Sequence, residues 1–198
     1  MTTSLRIVPA NEASWEDLQA VIGVRGASSR CWCQRYKLAR GESFGNTPSE
    51  DRAWRLRQQT ACADPTSETT SGLVAYVDGV PAGWCAVEPR SAYDGLRRVF
   101  KVPWEGRDED RDDPTVWAVT CILVRTGYRR AGLSHELVAA AVPFARDRGA
   151  LALEGYPITT TGVIPEELHV GTVSAFEAAG LRVVGRPTLR RVVMRIDF

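Results

Sequence analysis

Residues 115–154 constrain the fold more than any other part of the chain. Residues 115–124 form a run of β-branched and apolar side chains, the right length for a buried strand and short for a helix. Residues 127–132 are a basic turn bounded by glycines. From Leu133 onward Leu137, Ala140, Ala141, Phe144 and Ala145 recur at helical spacing up to Gly149. Residues 150–154 read as a second strand. Strand, turn, helix and strand in this order make a βαβ unit, whose strands lie parallel with a right-handed crossover.

The flanking segments add antiparallel structure. Leu5 and Ile7 fit a short first strand, and residues 12–24 place Trp15, Leu18, Val21 and Ile22 on one helical face, with Asn11 or Ser14 as cap. Cys31, Trp32 and Cys33 fall in a loop, residues 41–48 in a flexible connection, and residues 49–63 in an Arg-rich helix capped by Ser49. Residues 73–77 and 82–88, joined through Asp78-Gly79, predict a hairpin. Residues 105–113 are dense in charge and predict a solvated loop, while residues 172–179 close the chain as a helix followed by strands at 181–184 and 189–196. At 198 residues the chain suits one α/β domain.

Composition excludes several functions. A formal net charge of +1 provides no field for gathering phosphates along a nucleic acid, so nucleic acid is not an expected partner. No apolar run is long enough to span a bilayer, and residues 1–9 lack the pattern of a secretion signal, so a cytoplasmic protein is expected. Five cysteines without framework spacing point to free thiols in a reducing compartment. His135 and His169 stand far apart, and with one Cys-x-Cys they do not make a metal site.

The turn before the helix has its own chemistry. A helix N-terminus exposes backbone N–H groups that have no intrahelical acceptor, and the helix dipole favours negative charge there. Gly132 permits close backbone approach, and Arg129 and Arg130 add positive charge, which suits a diphosphate. The run Arg129, Arg130, Ala131, Gly132, Leu133, Ser134 resembles the Gln/Arg-x-x-Gly-x-Gly/Ala signature of GCN5-related N-acetyltransferases, with Ser134 in the last place. The strand before it, the alanine-rich helix after it, the strand ending Leu153-Glu154-Gly155-Tyr156-Pro157, and Phe176-Glu177-Ala178-Ala179-Gly180-Leu181 follow the family's order.

The resemblance implies the family's α/β (α+β) fold: a central mixed, mostly antiparallel sheet with a splayed parallel strand pair, flanked by helices. It implies acetyl-CoA as cosubstrate, with its pyrophosphate on Arg129 to Ser134 and its pantetheine along Ile122, Leu123 and Val124. Direct attack by an amine on the thioester needs a base, because an aliphatic amine is mostly protonated at neutral pH. Glu154, at the end of the strand beside the expected cleft, is the candidate, with Glu88 as the alternative. Many family members protonate the departing thiolate with a tyrosine four residues before a Gly on the last helix. Phe176 stands there in this chain, which leaves Tyr156, Tyr128 or water. Trp32, Trp84 and Trp117, with Tyr36 and Tyr93, are candidates for the acceptor pocket. The acidic residues at 105–113 suggest a small cationic amine, for instance an aminoglycoside. Protein N-terminal acetylation, and a noncatalytic acyl-CoA sensor or interaction module, are the alternatives. A monomer or a homodimer fits either.

Overall fold

A computed structural model describes residues 4–23, 26–98, 100–160 and 162–198. Its centre is a seven-stranded sheet in the order β1-β2-β3-β4-β5-β7-β6. The strands are β1 (Leu5–Pro9), β2 (Leu73–Val77), β3 (Val80–Pro89), β4 (Val116–Val124), β5 (Ala152–Gly155), β6 (Arg182–Gly185) and β7 (Val193–Asp197). All neighbours pair antiparallel except β4 and β5, the strands of the expected βαβ unit.

The helices are α1 (Trp15–Ile22), α2 (Ala27–Cys31), α3 (Ser49–Thr60), α4 (Asp94–Arg98), α5 (Leu133–Arg146) and α6 (Val173–Ala178). The backbone N–H of Asp17 donates to Ser14 Oγ at 3.0 Å, so Ser14 caps α1. Asn11 instead reaches the carbonyls of Asp64 and Ser67. The expected end of α1 at Val24 lies outside the described residues.

Two expectations are corrected. Ser49 does not cap α3: its hydroxyl donates to the Ser29 carbonyl and accepts from the Trp32 indole, which ties α3 to α2. The segment before Trp32 is helical, and α4 also forms where no element was expected. Both helices are a single turn, too short for a periodic pattern to show. Pro143 lies within α5 on its exposed side, where its missing N–H leaves the buried stripe intact.

The sheet divides the core. On one face Leu137, Val138, Ala141, Phe144 and Phe176 pack against Val87, Val119 and Ile122. On the other, Leu18, Val21 and Leu56 cover Val74, Trp84, Ala86 and Cys121, and a smaller cluster holds Tyr36, Tyr93, Ala118 and Tyr156.

Two backbone features open the sheet at its middle. β4 and β5 pair only from Val116↔Ala152 to Val119↔Gly155, after which β4 runs on without β5. The register of β3 against β4 shifts between Ala86↔Cys121 and Val87↔Val119, so Thr120 is an extra residue left out of the ladder. The bulge thus falls where the parallel pair ends.

Candidate functional site

The donor side is made of backbone. Arg130 (φ 63°) and Gly132 (φ 79°) are both left-handed and turn the chain sharply into α5. Among the described residues the backbone N–H groups from Arg130 to Ser134 donate to no acceptor, which leaves a continuous row of amides at the positive end of a fourteen-residue helix. Arg129 and Arg130 are exposed and pair with no carboxylate among the described residues; Arg129 Nε donates to the Val124 carbonyl at 3.1 Å. A diphosphate fits this set of donors. Ile122, Leu123 and Val124 lie on the part of β4 beyond its pairing with β5.

The two candidate carboxylates differ sharply. Glu154 on β5 is fully buried, and both of its oxygens are engaged. Arg195 Nη1 donates to Oε1 at 3.1 Å and Arg107 Nη2 donates to the same atom, while Arg90 Nη1 at 3.2 Å and the Tyr156 hydroxyl at 2.8 Å donate to Oε2. Glu109 joins the network through Arg90 and Arg107. Burial pushes the Glu109 carboxyl up, but hydrogen bonds from these arginines outweigh it and hold the group below its ordinary range. Tyr156 is pushed well above its usual range, by burial first and then by the Glu154 charge. The arrangement clamps the acidic loop onto β5 and β7.

The loop at 105–113 is therefore not simply solvated. Glu109 is taken up by arginines, Asp112 pairs with Arg97, and Asp113 accepts from the Thr115 backbone and hydroxyl. Glu109 and Asp112 are thus neutralised within the protein, while Glu105, Asp108 and Asp110 stay exposed. Sequence reading missed Arg90, Arg107 and Arg195 as partners because they come from three separate segments.

Glu88, near the end of β3, is 7% exposed and faces Lys37, which forms its one ion pair among the described residues. The Lys37 ammonium also lies 5.2 Å from the centre of the Tyr93 ring. Tyr93 is pushed well above its usual range, by burial and then by the Glu88 charge. Glu88 opposes Ala118 on β4, two residues before the bulge at Thr120. Lys37 had no sequence signal beyond being one of two lysines.

The three tryptophans separate. Trp84 is wholly buried and donates its indole N–H to Cys33 Sγ at 3.2 Å. Trp117 packs edge-on against Phe144, with ring centres 5.9 Å apart, on the face covered by α5. Trp32 stacks on Trp15 at 5.6 Å and lies on the same face of the sheet as Trp84. Tyr36 meets Phe100 edge-on in a small cavity that also includes Tyr156 and Arg191.

Phe176 on α6 is fully buried at the gap between β4 and β5. A Cβ on Gly155 would lie 2.2 Å from its ring and one on Gly171 2.7 Å, so both glycines make room for the phenyl group. Ile122 closes the same space, because its Cδ1 would lie 3.0 Å from a Cβ on Gly171. No cluster of three metal-ligating side chains occurs among the described residues.

The profile of the acetyltransferase (GNAT) family matches residues 32–157, and the chain belongs to that family. It is an acyltransferase whose cosubstrate is acetyl-CoA. No curated protein matches the chain by sequence. Solved structures share the fold: a GCN5-related N-acetyltransferase from Kribbella flavida is 15% identical, with a TM-score of 0.53 over 98% of both chains. The PaiA N-acetyltransferase of Thermoplasma acidophilum, determined with coenzyme A, is 14% identical, with a TM-score of 0.51 over 100% of both chains. The aminoglycoside acetyltransferase AAC(6')-Ib, also with coenzyme A, is 18% identical, with a TM-score of 0.52 over 99% of this chain and 95% of that one.

Proposed function

We propose that the protein transfers the acetyl group of acetyl-CoA to a primary amine of a small molecule, with Glu88 as the base. The observation that carries this assignment is the contrast between the two carboxylates. Glu154 accepts from three arginines and a tyrosine and has no lone pair left for a proton, whereas Lys37 is the one ion-pair partner of Glu88 among the described residues. Glu154 and Tyr156 then hold β5 and the acidic loop in place. On this reading Glu88 removes the ammonium proton directly or through a water. The amine attacks the thioester carbon and CoA leaves as a thiolate. Thr120, released from the ladder beside the opening, is where a developing oxyanion would find a backbone N–H.

The pyrophosphate would rest on the amides from Arg130 to Ser134, with Arg129 and Arg130 adding charge, and the pantetheine would follow Ile122 to Val124. The acceptor would enter over Trp32 and Tyr36, on the face that carries Trp84 and Glu88, while Trp117 supports the core. A groove lined by Ile158, Leu189 and Arg191 leads toward the Tyr36 and Tyr156 cavity and is the proposed entrance. Glu109 and Asp112 are taken up by arginines, while Glu105, Asp108 and Asp110 stay exposed and suit the attraction of a cationic amine. Use of acetyl-CoA and the free thiols suit the cytoplasm, and no described helix is long and apolar enough to cross a membrane.

Phe176 favours one second reading, an acyl-CoA sensor without turnover, since the position of the usual proton donor holds a phenyl ring. The test is the release of CoA thiol from acetyl-CoA across a panel of monoamines, aminoglycosides and peptide N-termini. Release with a monoamine is expected. Binding of acetyl-CoA without release on any amine selects the sensor.

A further inference from the structure

Two thiols, Cys33 and Cys121, share the buried cluster on the acceptor face of the sheet, and the transfer reaction above uses neither of them. Cys33 follows α2, Cys121 sits on β4 at the bulge, and Cys31 lies at the end of α2. Trp32 (φ 49°) and Cys33 (φ 55°) are consecutive residues held in the left-handed region, which side chains other than glycine rarely occupy. That turn is held by the Trp32 indole on Ser49 and by the buried Gln34, whose amide donates to the Trp32 carbonyl and to Gln59. Its effect is to direct the Cys33 sulfur into the sheet, where the Trp84 N–H donates to it at 3.2 Å and Cys121 belongs to the same buried cluster.

The neighbours make the Cys33 thiol more acidic and the Cys121 thiol less so. The Cys121 hydrogen bond is the largest influence on Cys33. With the Trp84 N–H and the charge of Lys37 it outweighs burial and the opposing charge of Glu88, and it holds Cys33 below the usual thiol range. Cys121, as the donor, is pushed well above that range, and burial adds to this. Cys31 and Cys62 are raised mainly by burial, and so is Cys85. Cys33 and Cys121 keep 9% and 8% exposure, while Cys85 has none.

We propose that Cys33 and Cys121 form a redox couple in which a hydroperoxide oxidises Cys33 and Cys121 resolves the product into a Cys33–Cys121 disulfide. The Cys33 sulfur attacks the outer oxygen of the hydroperoxide. An S–O bond forms, the O–O bond breaks, and the alcohol or water leaves with the proton that the thiol has lost. The Cys121 sulfur then displaces hydroxide from the sulfenic acid, which takes up the Cys121 proton and departs as water. Two electrons pass from the two sulfurs to the peroxide, and an external dithiol reverses the couple.

The bond would tie the turn leading to Tyr36 and Lys37 onto the bulge of β4. If the bulge and Glu88 serve acetyl transfer as proposed above, oxidation stops turnover and leaves acetyl-CoA binding at Arg130 to Ser134 intact. The thiol chemistry itself does not depend on that reading.

The test treats the full chain with equimolar hydrogen peroxide, alkylates the remaining thiols, and maps tryptic peptides by mass. Peptide 31–35 is expected to be joined to peptide 112–125, with Cys62 alkylated, and the joint should vanish on reduction. The same joint should form in Cys31→Ser. In Cys121→Ser, Cys33 should accumulate as sulfenic acid that a 1,3-dione captures. The proposal is overturned if Cys33 and Cys121 remain alkylatable while Cys31 or Cys62 is oxidised, if the joint is lost in Cys31→Ser, or if Cys33 stays unmodified in Cys121→Ser. Acetyl transfer measured on the mapped samples separates the two readings. Undiminished transfer by cross-linked protein removes the link to the acceptor side. An inactive reduced protein counts against acetyl transfer only.

Discussion

The proposed donor and acceptor halves of the cleft are built from different materials. The donor half is a row of backbone amides from Arg130 to Ser134, contiguous in sequence and fixed by two left-handed residues. The acceptor half gathers side chains from four places: Lys37, Glu88, Tyr93 and the bulge at Thr120. A backbone site tolerates side-chain change but not a change of dihedral angle, whereas a site of paired charges fails when one partner is neutralised.

The largest effect is expected where buried charges are densest. Glu154→Gln leaves Arg90, Arg107 and Arg195 with only the half-buried Glu109 as a shared anion among the described residues, so unfolding free energy should fall by about 3 kcal/mol and the melting midpoint by roughly 10 °C, readable by denaturant and thermal melts. A stable variant with reduced turnover would reverse the assignment of the two carboxylates.

Glu88→Gln should lower kcat by about a hundredfold near neutral pH, with the Kd for acetyl-CoA unchanged. Full activity would remove Glu88 as the base. Gly132→Val acts on the other half. No atom lies within 4 Å of an added Cβ, so the cost arises from φ alone. Forcing a β-branched residue into that conformation costs about 1–2 kcal/mol, which should weaken acetyl-CoA binding by roughly tenfold in a titration.

The smallest effect concerns acid. Glu42 accepts from Arg55 and from the Ala39 backbone, and so pins the connection just after Lys37. The Arg55 hydrogen bond is the main cause holding its carboxyl down, from 4.5 to about 2. A depressed carboxyl stabilises the fold above its ordinary value, and that contribution is lost as pH falls through about 2. As a surface pair it is worth about half a kcal/mol. Glu42→Ala should therefore lower stability slightly at neutral pH and match the parent near pH 2, as followed by melts across the acid range.

Legibility in the sequence followed the range of the interactions. The βαβ unit, the hairpin, the Ser14 cap and the glycine turn before α5 are local, and their residues and spacing were enough to locate them. The arginine partners of Glu154 were not readable, because a glutamate ending a strand looks the same whether it faces a cleft or a cage of arginines.

Sequence alone determined the amide row proposed as the donor half: the order of strand, glycine turn and helix dictates a run of free amides, since the first turn of any helix lacks acceptors. Only the tertiary structure decided the acceptor half. It closed Arg90, Arg107 and Arg195 on Glu154, paired Glu88 with Lys37, and brought Cys33 into one buried cluster with Cys121. Those pairings depend on which segments meet across the sheet, and a buried charge takes whatever opposite charge the packing brings within reach.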